Sequence, residues 1–229
     1  MAKILLIDTS TSLCSAALCE DGIVTASRCS GEGRSHASLC APFVKEVLEE
    51  RGLQTSDCDA VCVGMGPGSY TGLRVGVSTA KGLCFGAGIP LLAVSTLDIL
   101  VAMARKNGSA EGCKHIVPMI DARRMEVYSA VYDAAGHRLT EIEPAVVTAG
   151  SFAKELEEGP VLFIGDGALK CKDVLASENA RFCQCCPDAA SMAEPAIAEY
   201  NEKRFKDIAY FEPFYLKQFV ATVSSKKLF

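Results

Sequence analysis

The chain has 229 residues, of which 49% are hydrophobic and 22% are charged, with a formal net charge of −5. A chain of this size can bury the core of one large domain or of two small ones. The negative net charge argues against a protein that binds nucleic acid without a partner, because phosphate binding needs a basic face. Neither a signal-peptide pattern nor a membrane-length apolar run is found, so a cytoplasmic location and no membrane contact are expected.

The predicted elements begin with a meander of three strands over residues 3–9, 13–20 and 23–29, with Asp21-Gly22 as a hairpin turn. An amphipathic helix over 35–51 follows. A short apolar strand at 60–63 then leads into a second helix over 71–87. This helix is apolar nearly all round and has small residues at four-residue spacing, which predicts burial on more than one side.

A third helix is predicted to end near Arg105, before a polar, glycine-containing linker over 106–112. Further strands are predicted over 115–120, 125–132 and 161–165. We place the domain boundary at the linker, which gives an N-terminal lobe of residues 1–105 and a C-terminal lobe of residues 106–229. The last helix could pack back on the first lobe.

A glycine-dense turn joins the strand at 60–63 to the second helix. The free N–H groups at the start of that helix could hold a phosphate or a carboxylate. The turn lacks the Gly-Lys-Ser/Thr of a P-loop and the acidic residue of a dinucleotide fingerprint. A tight turn whose glycines serve only positive φ angles and close packing is equally compatible with the sequence.

Three turns that follow strands together match the pattern of a split nucleotide-binding cleft. Its candidate residues are Asp8, Thr9, Ser10, Gly66, Gly68, Gly165, Asp166 and Gly167. Taken alone, the first of these turns is more simply a hydrogen-bonded link between two strands.

Candidate catalytic and metal-binding residues are few. His36, His115 and His137 contain no pair at helical spacing, which nearly excludes a two-histidine metal site. Twelve cysteines are scattered through apolar runs and are expected to be mostly reduced core residues. A Cys-x-x-Cys spacing from Cys183 to Cys186 lacks the second pair that a closed zinc site needs. We therefore predict no metal in this chain.

The segment 121–126, Asp-Ala-Arg-Arg-Met-Glu, places two carboxylates around two guanidiniums. It could fix an anionic ligand, although the residues alone favour a structural ion network at a strand-to-strand turn. No nucleophile elbow occurs, since the sequence Gly-Pro-Gly-Ser-Tyr at 66–70 ends in the wrong residue.

Four segments resemble the TsaB family of bacterial tRNA threonylcarbamoyladenosine biosynthesis proteins, also called YeaZ-like and grouped with the M22 glycoproteases. The segments are 6–10, 66–74, 120–128 and 212–217, and the last departs mildly from the family by ending in Lys217 instead of arginine. The residues that match the family motifs are Ser69, Thr71, Arg74, Asp121, Arg123 and Glu126.

The resemblance implies a two-lobed α/β fold of the actin, Hsp70 and sugar-kinase type, which is an RNase H-like (ASKHA) fold. It also implies a scaffold without catalytic residues, which activates a TsaD-like catalytic paralogue. That partner transfers threonylcarbamoyl to the adenosine next to the anticodon in tRNAs reading codons that start with A. A TsaE-like ATPase would complete the assembly. The complex would use ATP and the metal of the catalytic partner. This chain would contact tRNA only as part of the complex.

The resemblance further implies a contact made by the first two helices of each subunit. The small-residue stripe of the second helix is then expected to be the docking face, so that Gly76→Phe would abolish binding and leave the monomer folded. Self-association through the same helices remains open when the partner is absent. The expected interface residues are His36, Leu39, Cys40, Phe43, Val44, Val47, Gly72, Leu73, Gly76, Val77, Ala80 and Cys84.

Under this resemblance the cleft is a degenerate pocket retained for fold geometry. The alternative from another class is a small-molecule kinase or hydrolase of the same fold that uses Asp8 as a base. A metalloprotease, which the M22 label suggests, is disfavoured because the metal ligands are missing.

Overall fold

The computed structural model describes residues 2–32 and 35–217. Its first sheet has five strands in the order β3-β2-β1-β4-β5. Strands β1 to β3 form an antiparallel meander, whereas β4 and β5 run parallel to β1. The strands are β1 (Lys3–Asp8), β2 (Cys14–Glu20), β3 (Ile23–Ser30), β4 (Ala60–Gly64) and β5 (Leu91–Val94).

Helices cover both faces of this sheet, which explains why residues 4–7 of β1 and all of β4 are apolar. Helices α1 (His36–Glu50) and α2 (Tyr70–Ala87) pack on the face that contains Leu5 and Ile7. The opposite face, with Ile4 and Leu6, is covered by α5 (Ala193–Asn201) and by the 3-10 turn before it.

The second sheet has the strand order β11-β10-β6-β7-β9, and β8 pairs with β6 off this path. Its strands are β6 (His115–Asp121), β7 (Glu126–Ser129), β8 (Tyr132–Asp133), β9 (Glu143–Val146), β10 (Val161–Ile164) and β11 (Ala180–Cys183). Two helices complete its cores, namely α3 (Thr96–Lys106) on one face and the short α4 (Ala153–Glu158) on the other.

Helix α3 links the two sheets, since Ile99 packs in the first sheet's core and Leu100 in the core of the second. After α5 the chain stays on the first sheet, where the Lys206 amide donates to the carbonyl of Leu91 at 2.8 Å. The Phe214 amide then donates to the carbonyl of Met65 at 2.8 Å. The predicted lobe boundary at residue 105 stays a prediction, but α5 lies on the first sheet.

The predicted meander and the first two helices agree with the structure to within about two residues. The strand predicted over 125–132 forms as two pieces, β7 and β8, which pair antiparallel with β6 in the same register and are interrupted at residues 130 and 131. In this interruption the Leu139 amide bonds to the carbonyl of Val131 at 2.7 Å. In the described part of the chain, no helix has the length and apolar character needed to cross a membrane.

Candidate cleft and helix surface

Asp8 ends β1 in a fully enclosed position. Its side chain has no solvent exposure, and Oδ1 accepts hydrogen bonds from the Ser10 amide at 3.2 Å and the Ser10 hydroxyl at 2.9 Å. Oδ2 has no hydrogen-bond partner among the residues that the structure describes. Burial raises the pKa of Asp8 from 3.8 to about 7, although the two bonds from Ser10 act in the opposite direction.

Two glycines of the glycine-dense turn are in contact with this segment. A β-carbon on Gly64 would fall 2.0 Å from Asp8 Oδ2, and one on Gly68 would fall 2.1 Å from the carbonyl oxygen of Ser10. The Ser69 amide also donates to that Ser10 carbonyl at 2.7 Å. The first predicted cleft turn and the glycine turn are therefore brought together, with glycine needed for the close approach.

The small-residue stripe of α2 packs on the same segment. The Thr9 hydroxyl donates to the carbonyl of Gly72 at 2.7 Å. A β-carbon would fall 2.1 Å from the Thr9 carbonyl oxygen if placed on Gly72, and 2.3 Å from Thr9 Oγ1 if placed on Gly76. The expectation that this stripe is a free docking face is wrong, because the chain's own turn occupies it. Gly76→Phe would therefore disrupt the fold itself.

The start of α2 is capped from within the chain. The Ser69 hydroxyl accepts a hydrogen bond from the Gly72 amide at 3.2 Å, and the Leu73 amide donates to the Ser69 carbonyl at 2.8 Å. Arg74 lies over the Tyr70 ring at 4.5 Å from its centroid. These contacts give Ser69 and Arg74 structural partners at the glycine turn.

The later glycine turn, residues 165–167, follows β10 and packs against the end of β6. A β-carbon on Gly165, which has a φ of +129°, would fall 2.3 Å from the carbonyl oxygen of Met119. Asp166 Oδ1 accepts the Asp121 amide at 2.8 Å, and burial raises the pKa of Asp166. Gly167 is similarly close, because its β-carbon would lie 3.1 Å from the Asp121 nitrogen.

Lysines that the sequence analysis did not single out hold the carboxylates of segment 121–126. Lys170 pairs with Asp121 and donates to the Glu126 carbonyl at 2.6 Å. Lys217, from the end of the described chain, pairs with Glu126. The two carboxylates are therefore part of an ion network, as the sequence favoured, but its cations are lysines and not the two arginines of the segment. The lysines could not be found from the sequence because they lie 44 and 91 residues away from Glu126.

In the described part of the chain, the side chains of the segment's two arginines take no part in this network. Arg123 and Arg124 have φ angles of +72° and +52° and are exposed. The Arg123 amide donates to Asp121 Oδ1 at 2.8 Å, which stabilises the turn. Neither guanidinium has a partner among residues 2–32 and 35–217.

Most of the predicted interface residues are buried in the isolated chain. Three on α1 remain partly accessible, and one of them, His36, is hydrogen-bonded through Nε2 to the Thr11 carbonyl at 2.9 Å. The partly accessible residues are His36, Leu39 and Phe43. The buried ones are Cys40, Val44, Val47, Gly72, Leu73, Gly76, Val77, Ala80 and Cys84.

A different face of α2 is exposed. Phe85 is 82% exposed, and β-carbons built on Gly82 and Gly86 would meet nothing within 4 Å. Between this face and α1 lies a cavity of about 560 Å³, whose lining includes Ala41 and Leu83. We use the name α1–α2 surface for this cavity together with five residues, namely Ala41, Gly82, Leu83, Phe85 and Gly86.

The cysteines are free thiols, and eight of the twelve are buried, so the prediction that most are core residues is confirmed. In the described ranges no three His, Cys, Asp or Glu side chains form a group that could hold a metal ion. One cysteine joins the two halves of the chain, since Cys186 Sγ lies 3.5 Å from Ser12 Oγ.

The fold and these turns define an α/β protein of the actin, Hsp70 and sugar-kinase class, as predicted. A family model described as TsaD, tRNA N6-adenosine threonylcarbamoyltransferase, matches residues 30–224. The chain belongs to this family, and within it to the TsaB group, because nearly full-length relatives carry that name.

The tRNA threonylcarbamoyladenosine biosynthesis protein TsaB of Escherichia coli (strain K12) is 34% identical over 230 residues, which is 96% of each chain. The protein of the same name from Haemophilus influenzae is 32% identical and covers 98% of this chain and 96% of its own. The solved structure of YeaZ from Pseudomonas aeruginosa superposes with a TM-score of 0.81 at 29% identity, covering 94% of this chain and 100% of its own.

Proposed function

We propose that this chain is a non-catalytic subunit in the biosynthesis of threonylcarbamoyladenosine in tRNA. It acts by forming a heterodimer with a TsaD-like catalytic paralogue, and a TsaE-like ATPase joins the assembly. The chain contacts tRNA only as part of the complex, which works in the cytoplasm. The other subunits bind the ATP and the metal. The relatives' names support the pathway, and the geometry of Asp8 and of the α1–α2 surface supports the role within it.

The observation that carries the non-catalytic role is the enclosure of Asp8. A general base must come within hydrogen-bond distance of the proton that it abstracts. Asp8 has no solvent-exposed surface, its Oδ1 is bonded to Ser10, and its Oδ2 faces Gly64. A pKa of about 7 would suit a base, but the carboxylate cannot reach a substrate in this conformation. The kinase or hydrolase alternative is therefore less well supported.

The α1–α2 surface is the part of the two helices that a partner could contact. Phe85 exposes a large apolar side chain, which is a typical anchor of protein interfaces. The open space above Gly82 and Gly86 allows a partner helix to approach the α2 backbone closely. We therefore propose this surface, with the accessible parts of Leu39 and Phe43, as the docking site for a helix pair of the partner.

Size-exclusion chromatography with light scattering tests the proposal with this chain and the TsaD-like protein of the same organism. A heterodimer peak is expected for the wild type. Gly82→Arg is expected to abolish the peak and leave the monomer folded, since an arginine fits the open space and is a better helix former than glycine. The matched control is Gly150→Arg, which is also in open space but lies outside both helices.

Three outcomes would contradict all or part of the proposal. If the wild-type chains stay separate at tens of micromolar, the scaffold role loses its basis. Turnover of ATP by this chain alone, or micromolar ATP binding in calorimetry, would instead favour the kinase or hydrolase alternative. Equal loss of binding in Gly82→Arg and Gly150→Arg would remove the α1–α2 surface from the proposal.

A further inference from the structure

A second cavity, of about 670 Å³, lies between α3, α5 and the segment that follows β8. None of the predicted cleft residues lines it. Its volume is in the range of about 300–1,000 Å³ that is typical of small-molecule sites. We call it the α3–α5 cavity.

The charged side chains of the cavity wall are largely matched with one another. Arg105 pairs with Glu194 at 2.9 Å, and Arg204 pairs with Glu199 at 2.6 Å. Each of these pairs joins a cation to a carboxylate of the same wall, and Arg204 also pairs at 2.5 Å with Glu202, which does not line the cavity.

A third set forms a polar relay in the wall. The Tyr132 hydroxyl donates to Asp98 Oδ1 at 2.6 Å and is also contacted by the Arg138 guanidinium. Tyr132 is only 1% exposed, so this hydroxyl is fixed in position. The relay contains one cation, Arg138, and one carboxylate, Asp98, whose pKa is raised by burial.

Lys206 is the charge that remains unmatched. Its backbone amide is bonded to Leu91, but its ammonium group has no hydrogen bond or ion pair with any residue in the described ranges. The residue is half-buried and lines the cavity. Among the described residues, the other three cations of the wall, Arg105, Arg138 and Arg204, each contact a partner, so the Lys206 ammonium is the one available to an anionic ligand.

Apolar side chains make up much of the remaining wall. They include Met65, Val94, Val101, Ala102 and Pro195. An unmatched ammonium beside such a surface suits a ligand in which one anionic group is attached to an apolar body.

We propose that the α3–α5 cavity binds a small organic molecule with one phosphate or carboxylate group, which contacts Lys206, and an apolar part, which lies against Val101 and Pro195. Because the cavity is lined both by β5 of the first sheet and by β8 and the segment after it in the second, such a ligand would also brace the contact between the two sheets. This site is independent of the proposed role in tRNA modification.

Isothermal titration calorimetry with three probes that share one aromatic ring tests this proposal on the full chain. The probes are phenyl phosphate, benzoate and, as the uncharged control, benzyl alcohol. We expect phenyl phosphate or benzoate to bind and benzyl alcohol to bind much more weakly. The stronger anionic probe identifies whether phosphate or carboxylate is the preferred group.

Variants locate the binding. Lys206→Met is expected to weaken the anionic probe about tenfold, the effect of losing one charge-assisted contact. Lys203→Met is the matched control, since Lys203 lies in the same segment but does not line the cavity. Ala198→Phe, at an exposed wall position, should fill the cavity and abolish binding without altering the core.

The proposal is overturned if neither anionic probe binds at concentrations up to about 10 mM. It is also overturned if Lys206→Met binds as tightly as the wild type, or if Lys203→Met loses as much affinity as Lys206→Met. Retention of wild-type affinity by Ala198→Phe would place the probe elsewhere and overturn it too. Thermal unfolding of each variant verifies that the comparison is made between folded proteins.

Discussion

Gly64 and Asp8 are so close that a β-carbon on Gly64 would fall 2.0 Å from Asp8 Oδ2. The two residues end neighbouring parallel strands, β4 and β1. Glycine is needed at residue 64 because any larger residue would overlap the buried Asp8 carboxylate, against which the residue 64 backbone packs. Asp8 is thus enclosed first by the neighbouring strand of its own sheet, and the loops around it cover the remaining sides.

Gly64→Ala tests this enclosure directly. We expect a loss of about 3 kcal/mol in the free energy of unfolding, because the added methyl must displace buried atoms. Urea unfolding measures the change. Gly82→Ala is the matched control, and it should gain up to about 1 kcal/mol, since its position is helical and open. Equal effects of the two substitutions would contradict the close contact.

The raised pKa of Asp8 predicts a specific pH dependence of stability. An unfolded aspartate ionises near its ordinary value of 3.8, whereas folded Asp8 ionises near pH 7. Between these values the folded state holds one more proton, so the contribution of Asp8 to the free energy of unfolding falls as pH rises. This decrease begins above pH 3.8 and levels off above about 7.

Asp8→Asn isolates this contribution because it removes the titration and keeps the shape of the side chain. Relative to wild type, the variant should be more stable at pH 8 than at pH 5. Urea unfolding at the two pH values gives the difference, in which the other titrating groups largely cancel. A stability difference that does not change with pH would show that Asp8 has an ordinary pKa.

The hydroxyl of Tyr132 is predicted to stabilise the fold through Asp98. Tyr132→Phe should lower the free energy of unfolding by about 1–3 kcal/mol, because it removes a donor from a largely buried carboxyl group. Tyr210→Phe is the control, since Tyr210 is 84% exposed and should change little. If both variants unfold at the same urea concentration as the wild type, the buried hydrogen bond contributes nothing measurable.

The sequence predicted the parts of this structure that depend on local patterns. The apolar and β-branched residues of 3–29, with their hairpin turn, are sufficient to predict the three-strand meander. The four-residue spacing of Gly72 and Gly76 correctly indicates a close contact. What occupies that contact could not be predicted, because Thr9 is 63 residues from Gly72 in the chain. Likewise, Lys170 and Lys217 reach Glu126 only through the folded topology. Close approaches were visible in the sequence, and their partners were not.

The exposed Phe85 leads to a prediction about the chain alone. A large apolar side chain that is 82% exposed favours association when no partner covers it. Phe85→Ser should therefore reduce concentration-dependent self-association, as measured by light scattering. Leu139→Ser is the control, because Leu139 is 53% exposed but lies outside α1 and α2. If Leu139→Ser has the larger effect, self-association involves another face.

Lys81 is predicted to hold the returning C-terminal segment on α2. Its ammonium group donates to the carbonyls of Ala209 at 3.1 Å and Phe211 at 3.0 Å. Lys81→Met keeps the apolar stem but removes both bonds, so the segment should open more often. We expect faster hydrogen exchange of the Phe214 amide, which is bonded to Met65, at a cost of about 2 kcal/mol in stability.

Lys45→Met serves as the matched control for this experiment. Lys45 is on α1, its side chain is 73% exposed, and its ion pair with Glu49 is a surface contact of little energetic value. Exchange of the Phe214 amide should therefore be unchanged in this variant. If Lys81→Met also leaves that exchange rate unchanged, the segment is held by its backbone bonds to Leu91 and Met65, and Lys81 does not determine its position.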